Sequence, residues 1–364
     1  MHSTNDLRIV RYYPRALVGD GGITRSVWHH SLELSSADVA VRIAYDEGSA
    51  PATPGSVELV PIRHAGWPWK VPIGLDECLA DADLMVLHSA WVLHNVRAGA
   101  VARKVDVPYL LEPRGAYDPR IRARKRPLKR LWWRVWERNL VMGARAIHVF
   151  FDSQREYVRS LGYDGDIVVA PNGVEIRDEF RWDGGNDGYL LWYGRFDPEH
   201  KGIDMLIEAL ALLDPGERPP LRLHGPDARI GGKDEIRRRV ASLGLERWVS
   251  IGDPVYGEVK YGMLARARGF VYPSRWEAFG NAPAEAASVG VPTVVTPYPL
   301  GRHLAGRDAA ILVEPDSGSL ADGIRATGRK EAAEIGSRAA EVIREEFRWS
   351  AVTGRWLEQV EGLL

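Results

Sequence analysis

The chain is poor in sulfur chemistry. One cysteine, Cys78, stands among 364 residues, so no intramolecular disulfide can form, and a reducing, cytoplasmic setting is expected. Charge imbalance is also lacking: the formal net charge is −1, which carries no global nucleic-acid signature. No apolar run approaches the roughly 20 residues that cross a bilayer, and the opening MHSTNDLRIVRYYPRA has no apolar signal core. The ten histidines show no HExxH or similar ligand spacing. The DxD at Asp81 and Asp83 precedes a strand pattern and reads as solvated loop. No metal is therefore expected.

What is present is a soluble, globular composition, 45% hydrophobic and 27% charged, in a chain long enough for two domains. Short apolar runs alternate with helical patterns, the sign of parallel α/β sheets. Strands are expected at 7–10, 83–88, 107–112, 146–151 and 165–174, with a helix at 24–34 after a loop holding Gly19, Gly21 and Gly22. The polar, glycine-rich stretch RDEFRWDGGNDG reads as an interdomain linker. The pattern then restarts with YLLWYG, a helix at 202–213, LRLHG, a helix over DEIRRRVASLGL, WVSIG, GFVYP and TVVT. The expected domains are 1–174 and 188–346, with 175–187 between them.

Residues 119–138 hold nine basic residues and one acid, interleaved with Leu131, Trp132, Trp133, Val135 and Trp136. They read as one basic helix with an aromatic stripe. Three uses fit: weak contact with an anionic membrane, binding of a phosphorylated acceptor, or a solvated face with its tryptophans packed inward.

Three loops carry candidate chemistry. In GRFDPEHKG, Arg195 and Lys201 lie between a strand and a helix start, where open α/β sheets bind ligands. An anion between these cations and the helix N-terminus would be favoured. Neutralisation by Asp197 and Glu199 is the competing reading. The turn at Gly21 and Gly22 offers a second anion site or a plain tight turn. In EAFGNAPAE, Gly280 and Pro283 keep one helix from spanning Glu277 and Glu285. A helix starting near Pro283 and ending at Gly290 places Glu285 in its first turn. There a carboxylate is favoured, so Glu285 is either a helix-end complement or a ligand. Glu277 stays in the loop beyond the strand FVYP, before the amides of Phe279, Gly280 and Asn281.

Together these segments resemble the retaining, nucleotide-sugar-dependent glycosyltransferases of family 4. The residues that carry the resemblance are Glu277 and Glu285 with seven residues between, GRFDPEHKG, LHGPD with Gly225, and the Gly21-Gly22 loop. The resemblance implies a GT-B fold: two Rossmann-like domains facing a central cleft, with residues 347–364 forming a helix that packs back on the first domain. It implies an acceptor-binding first domain and a donor-binding second domain. Arg195 and Lys201 would grip the donor diphosphate, aided by the Gly21 and Gly22 amides and the Gly225 loop. Glu285 would bind the ribose. Glu277, with Phe279, Gly280 and Asn281, would hold the donor sugar. His88, Arg114 and Tyr117 would contact the acceptor. Where many relatives place a histidine, this chain has LLEPRGAYDP, so Pro113 and Arg114 stand there.

The expected activity is transfer of a hexose-like sugar from a nucleoside diphosphate to a hydroxyl acceptor, with retention and without a cofactor or metal. The acceptor would be a glycan, a glycolipid or a small molecule, and the setting surface polysaccharide, glycolipid or secondary-metabolite synthesis. The expected location is cytoplasmic, with peripheral membrane contact through 119–138. A nucleotide-sugar 2-epimerase of the same architecture and a non-catalytic nucleotide-sugar binder are the alternatives.

Overall fold

The computed structural model describes residues 7–15, 17, 21–46, 56–66, 70–227 and 231–364. Gly19, expected in the first loop, lies outside them. The chain divides into two compact units, one of residues 1–173 with 349–364 and one of residues 174–348.

The first unit holds strands β1 (Arg8–Tyr13), β2 (Ala40–Asp46), β3 (Glu58–Ala65), β4 (Val71–Ile73), β5 (Leu84–His88), β6 (Tyr109–Glu112), β7 (Ala146–Val149) and β8 (Asp166–Val169). They form one sheet in the order β4-β3-β2-β1-β5-β6-β7-β8. All neighbours are parallel except β3 and β4. β5 and β6 are buried at every position, as strands covered on both faces must be. The helix Trp349–Glu361 belongs to this unit. Its Val352, Trp356, Leu357 and Val360 join the core formed with Leu7, Val27 and Leu34. Gln359 Oε1 accepts the Val169 amide at 2.9 Å.

The second unit holds β9 (Leu190–Tyr193), β10 (Leu221–His224), β11 (Val249–Gly252), β12 (Gly269–Tyr272), β13 (Thr293–Val295) and β14 (Ile311–Leu312). They make a parallel sheet in the order β11-β10-β9-β12-β13-β14. Strand order reverses between β9 and β12, the topological switch point beyond which ligands bind in open α/β sheets. In the first unit the reversal lies between β1 and β5.

Several elements differ from the sequence expectation. Residues 175–187 are packed on the second unit: the Trp182 amide donates to Val289 O at 2.9 Å and its indole to Ala267 O at 2.8 Å. The basic stretch is not one helix. Pro119–Ala123 ends at an extended Arg124, Lys125 takes φ 52°, and a second helix runs over Arg126–Trp132 into a π-turn at Trp133–Glu137. Pro127 explains the break, because a proline disfavours helix upstream and is welcome in a first turn. Asp81 and Asp83 are engaged structurally. Asp81 pairs with Arg42 at 2.9 Å, and Asp83 accepts the Arg8 amide at 2.7 Å.

Candidate active site

In the second unit, the two loops at the switch point are zipped together. Arg275, after β12, forks onto Asp204 with both contacts at 2.8 Å, and its amide donates to His200 O at 2.9 Å. His200 stacks on Trp276 with ring centroids 4.6 Å apart. Gly202 takes φ 66°, and a Cβ there would meet Pro273 O at 2.0 Å. Only glycine allows this approach of backbone to backbone.

The zipper sets Lys201 against Glu277. Their side chains form an ion pair, each 12% exposed. Glu277 Oε1 also accepts from Ser274 Oγ at 2.8 Å and from the Tyr272 hydroxyl at 3.2 Å. Burial pushes the Glu277 carboxyl up, but the charges of Lys201 and His200 and the hydrogen bonds from Lys201 and Ser274 outweigh it, so the group sits below its ordinary value. Arg195 extends from the same loop, 59% exposed, with Asp197 at 3.7 Å. Local neutralisation of Arg195 is therefore loose, and Lys201 takes its partner from β12's loop rather than from Asp197 or Glu199. Gly225 closes the neighbouring strand end: a Cβ there would meet Gly194 O at 1.7 Å.

Glu285 occupies a different position from the one expected. Its helix runs Asn281–Val289, with Gly280 at φ 103° before it and Gly290 at φ 87° after it. The start is two residues earlier than Pro283, because Gly280 supplies the left-handed turn that begins it. Glu285 is then the fifth helical residue, past the first turn where a carboxylate is favoured by the dipole. Its carboxylate instead accepts from the Tyr193 hydroxyl at 2.9 Å and pairs with Lys260 Nζ at 2.8 Å. Phe279 is 2% exposed, with Phe347 at 5.9 Å, so its side chain serves the core. Lys260 and Tyr193 were not foreseen. Nothing local in GEVKYGMLAR separates an inward lysine from a surface one.

In the first unit, Gly21 precedes the helix Gly22–Ser36 at φ −70°. A Cβ at Gly21 would meet Thr24 Oγ1 at an ordinary 3.4 Å, so neither backbone angle nor packing requires glycine there.

The three expected acceptor residues lie inside this unit. The His88 side chain is fully buried. Its Nδ1 is bonded to Glu112, and its Nε2 accepts from Arg11 Nε at 3.4 Å. Burial lowers His88 to about 3, which makes it a neutral ring with both nitrogens used. Arg114 is 7% exposed and donates to Glu112 at 2.7 Å and to Asn172 at 3.4 Å. It takes φ 50°, a strained angle for a side-chain-bearing residue. Tyr117 is 2% exposed and donates to Glu137 at 2.8 Å. All three are largely buried and bonded within the unit, and Arg114 and Tyr117 border a small recess. Tyr117 is held by Glu137, and His88 and Arg114 by Glu112, a carboxylate buried at the end of β6. Burial pushes it up, yet Arg114, His88 and His148 hold it well below the usual range. A small recess beside Arg114 is also lined by Asp118, His148, Gln154 and Tyr157.

Among the described residues, no group of three or more His, Cys, Asp or Glu is arranged to hold a metal ion. No helix among them is long and apolar enough to cross a membrane.

Residues 21–173 match the family described as glycosyl transferase 4-like domain, and residues 187–328 match glycosyl transferases group 1. The chain belongs to the family 4, group 1 glycosyltransferases. Its likeness to a mannosylfructose-phosphate synthase of Agrobacterium fabrum is 31% identity over 216 residues, 55% of this chain and 46% of that protein. With a GDP-mannose:cellobiosyl-diphosphopolyprenol alpha-mannosyltransferase of Xanthomonas oryzae it shares 24% over 246 residues, 65% of this chain and 63% of that one. The match thus spans about half to under two thirds of these two relatives. Among solved structures, Anabaena HepE in complex with UDP and glucose aligns with a TM-score of 0.78 at 16% identity, covering 98% of this chain and 100% of that chain. The sucrose-phosphate synthase of Thermosynechococcus elongatus aligns at 0.75 and 19%, covering 98% and 99%. These likenesses establish the fold: this glycosyltransferase has the GT-B architecture of two parallel-sheet α/β units.

Proposed function

We propose that this glycosyltransferase moves a hexose, glucosyl or mannosyl, from a nucleoside diphosphate onto a hydroxyl acceptor, with retention and without a metal. The observation that carries the reading is the buried Lys201–Glu277 pair at the β9/β12 switch point, with Arg195 exposed in the same loop. When the bond from the anomeric carbon to the distal phosphate oxygen breaks, its electrons stay on that oxygen. Arg195 and Lys201 stabilise the new negative charge, Lys201 from a position fixed by its ion pair, the largest kind of catalytic term. The acceptor oxygen bonds to the anomeric carbon on the same face, and its proton passes to the leaving phosphate oxygen. Glu277 is placed to accept from the donor sugar's hydroxyls. Glu285, held beyond the first helical turn, receives the ribose hydroxyls.

One relative is named as a mannosyltransferase to cellobiosyl-diphosphopolyprenol, which favours a surface-glycan or glycolipid acceptor here. Contact with anionic lipid fits the surface of residues 119–138, where Leu128, Leu131 and Val135 are 60%, 59% and 48% exposed among basic side chains. Incubation with a panel of UDP- and GDP-sugars tests the activity, with lipid-linked glycans as acceptors and NMR of the product's anomeric proton as readout. A product of unchanged anomeric configuration supports transfer with retention. Rearranged sugar formed without acceptor would instead mark an isomerase, and binding without turnover a sensor.

A further inference from the structure

We propose that Lys260 is a positioning residue that fixes Glu285 for a vicinal diol, so that the site selects ribonucleoside over 2'-deoxyribonucleoside diphosphates. This rests on the reading of Glu285 as the ribose ligand.

Lys260 lies on the helix Gly257–Arg266 and is 3% exposed. Lysine is almost never buried this far unless its charge is paired. Its Nζ is 2.8 Å from Glu285 Oε2 and 4.8 Å from the Tyr261 ring centroid. The Tyr193 hydroxyl donates to the same Oε2 at 2.9 Å. Two donors from two other elements, β9's end and the Gly257–Arg266 helix, therefore converge on one carboxylate oxygen. They set the Glu285 rotamer before any ligand arrives.

A buried ion pair is weak evidence for stability, because desolvation offsets the Coulomb gain. Its use here is orientation. A carboxylate held in one place can accept from two adjacent hydroxyls together. A 2'-deoxyribose supplies one fewer donor and leaves part of that acceptor unmatched, which is how a built polar site rejects an analogue that lacks a hydroxyl. A carboxylate free to rotate would discriminate less, since each ligand would carry the cost of ordering it.

The test is calorimetric titration of the full chain with UDP, GDP and their 2'-deoxy counterparts, with melting temperature recorded for each variant. The wild type should prefer the ribo form by about tenfold, equivalent to about 1.4 kcal/mol. Lys260→Met should lose most of that preference while retaining affinity for the deoxy form, and Lys260→Arg should restore it. Lys260→Gln makes the same comparison if the methionine variant does not fold. The double variant K260M/E285Q should discriminate no worse than Glu285→Gln alone, since Lys260 acts through Glu285. A neutral Lys260 variant that keeps the preference, or weakens both nucleotides alike, overturns the inference and leaves the ribose reading standing. If the wild type shows no preference, or Glu285→Gln leaves it unchanged, the ribose reading itself fails.

Discussion

Lys201 and Glu277 neutralise each other at the mouth of the second unit's switch point. One residue comes from the loop after β9 and the other from the loop after β12, 76 positions apart in the chain. The pair keeps a carboxylate ionised where burial alone would protonate it, and it stores a cation where a diphosphate is expected.

The pair has a pH consequence. The folded Glu277 carboxyl lies below its ordinary value, so the unfolded state binds its proton more readily. Its contribution to stability is present above the unfolded value, about 4.3, and is lost as pH falls through the folded one. Lys201→Ala should abolish this contribution. Melting temperature should then differ between wild type and variant at pH 6 and converge below pH 4. A constant offset across that range would count against the coupling.

Glu285→Gln keeps the shape and removes the charge. A hydrogen bond to a charged acceptor contributes about 1.5–3 kcal/mol, so nucleoside diphosphate binding should weaken roughly 10- to 150-fold. Isothermal titration reads this directly. A variant that only melts earlier, with unchanged affinity, would return Glu285 to a structural role.

His88 should act as a structural group rather than a proton carrier. Its folded value of about 3 lies below the ordinary 6.5, so the stability it contributes is present above pH 6.5 and is lost as pH falls toward 3. His88→Phe leaves Glu112 and Arg11 each short of a partner inside the unit. It should cost about 1–3 kcal/mol, measured by urea unfolding at pH 7.5, and should flatten the acid decline in stability. Folded variant should show the same pH dependence of kcat as wild type between pH 6 and 8. A lost basic or acidic limb would make His88 a proton carrier after all.

The surface of residues 119–138 should capture anionic vesicles at low salt and release them near 0.5 M salt, where the Debye length has shrunk to about 4 Å. Leu131→Glu removes apolar area and adds a repelling charge, and should abolish co-sedimentation with phosphatidylglycerol vesicles. Retained binding in that variant would place the contact elsewhere.

Much of the framework was legible from pattern alone. The runs YLLWYG, LRLHG and GFVYP became β9, β10 and β12 within a residue or two of expectation; β9 and β12 are buried at every position, as strands covered on both faces are, while β10 alternates buried and half-buried residues. Glu277 was legible too: a loop after a buried strand has one natural place in this architecture. The partners were not. Arg11 reads as a charge inside RIVRYY, Lys260 as one more helix lysine, and Glu112 as a strand end. Their burial depends on which elements pack against them, and that information is long-range. The helix start before Glu285 was misplaced by two residues because Pro283 sits as readily at a helix's third position as at its first. The break inside 119–138 was missed although Pro127 signalled it, since the aromatic stripe outweighed the proline in the reading.

The most direct test of the central claim is the affinity of UDP and GDP for wild-type protein and Lys201→Ala, by isothermal titration in EDTA. The account predicts that one nucleotide binds the wild type without metal and that Lys201→Ala weakens it by about 1.5–3 kcal/mol, roughly 10- to 150-fold. Equal affinity in the two proteins, or binding by the wild type only when a divalent cation is added, would contradict it.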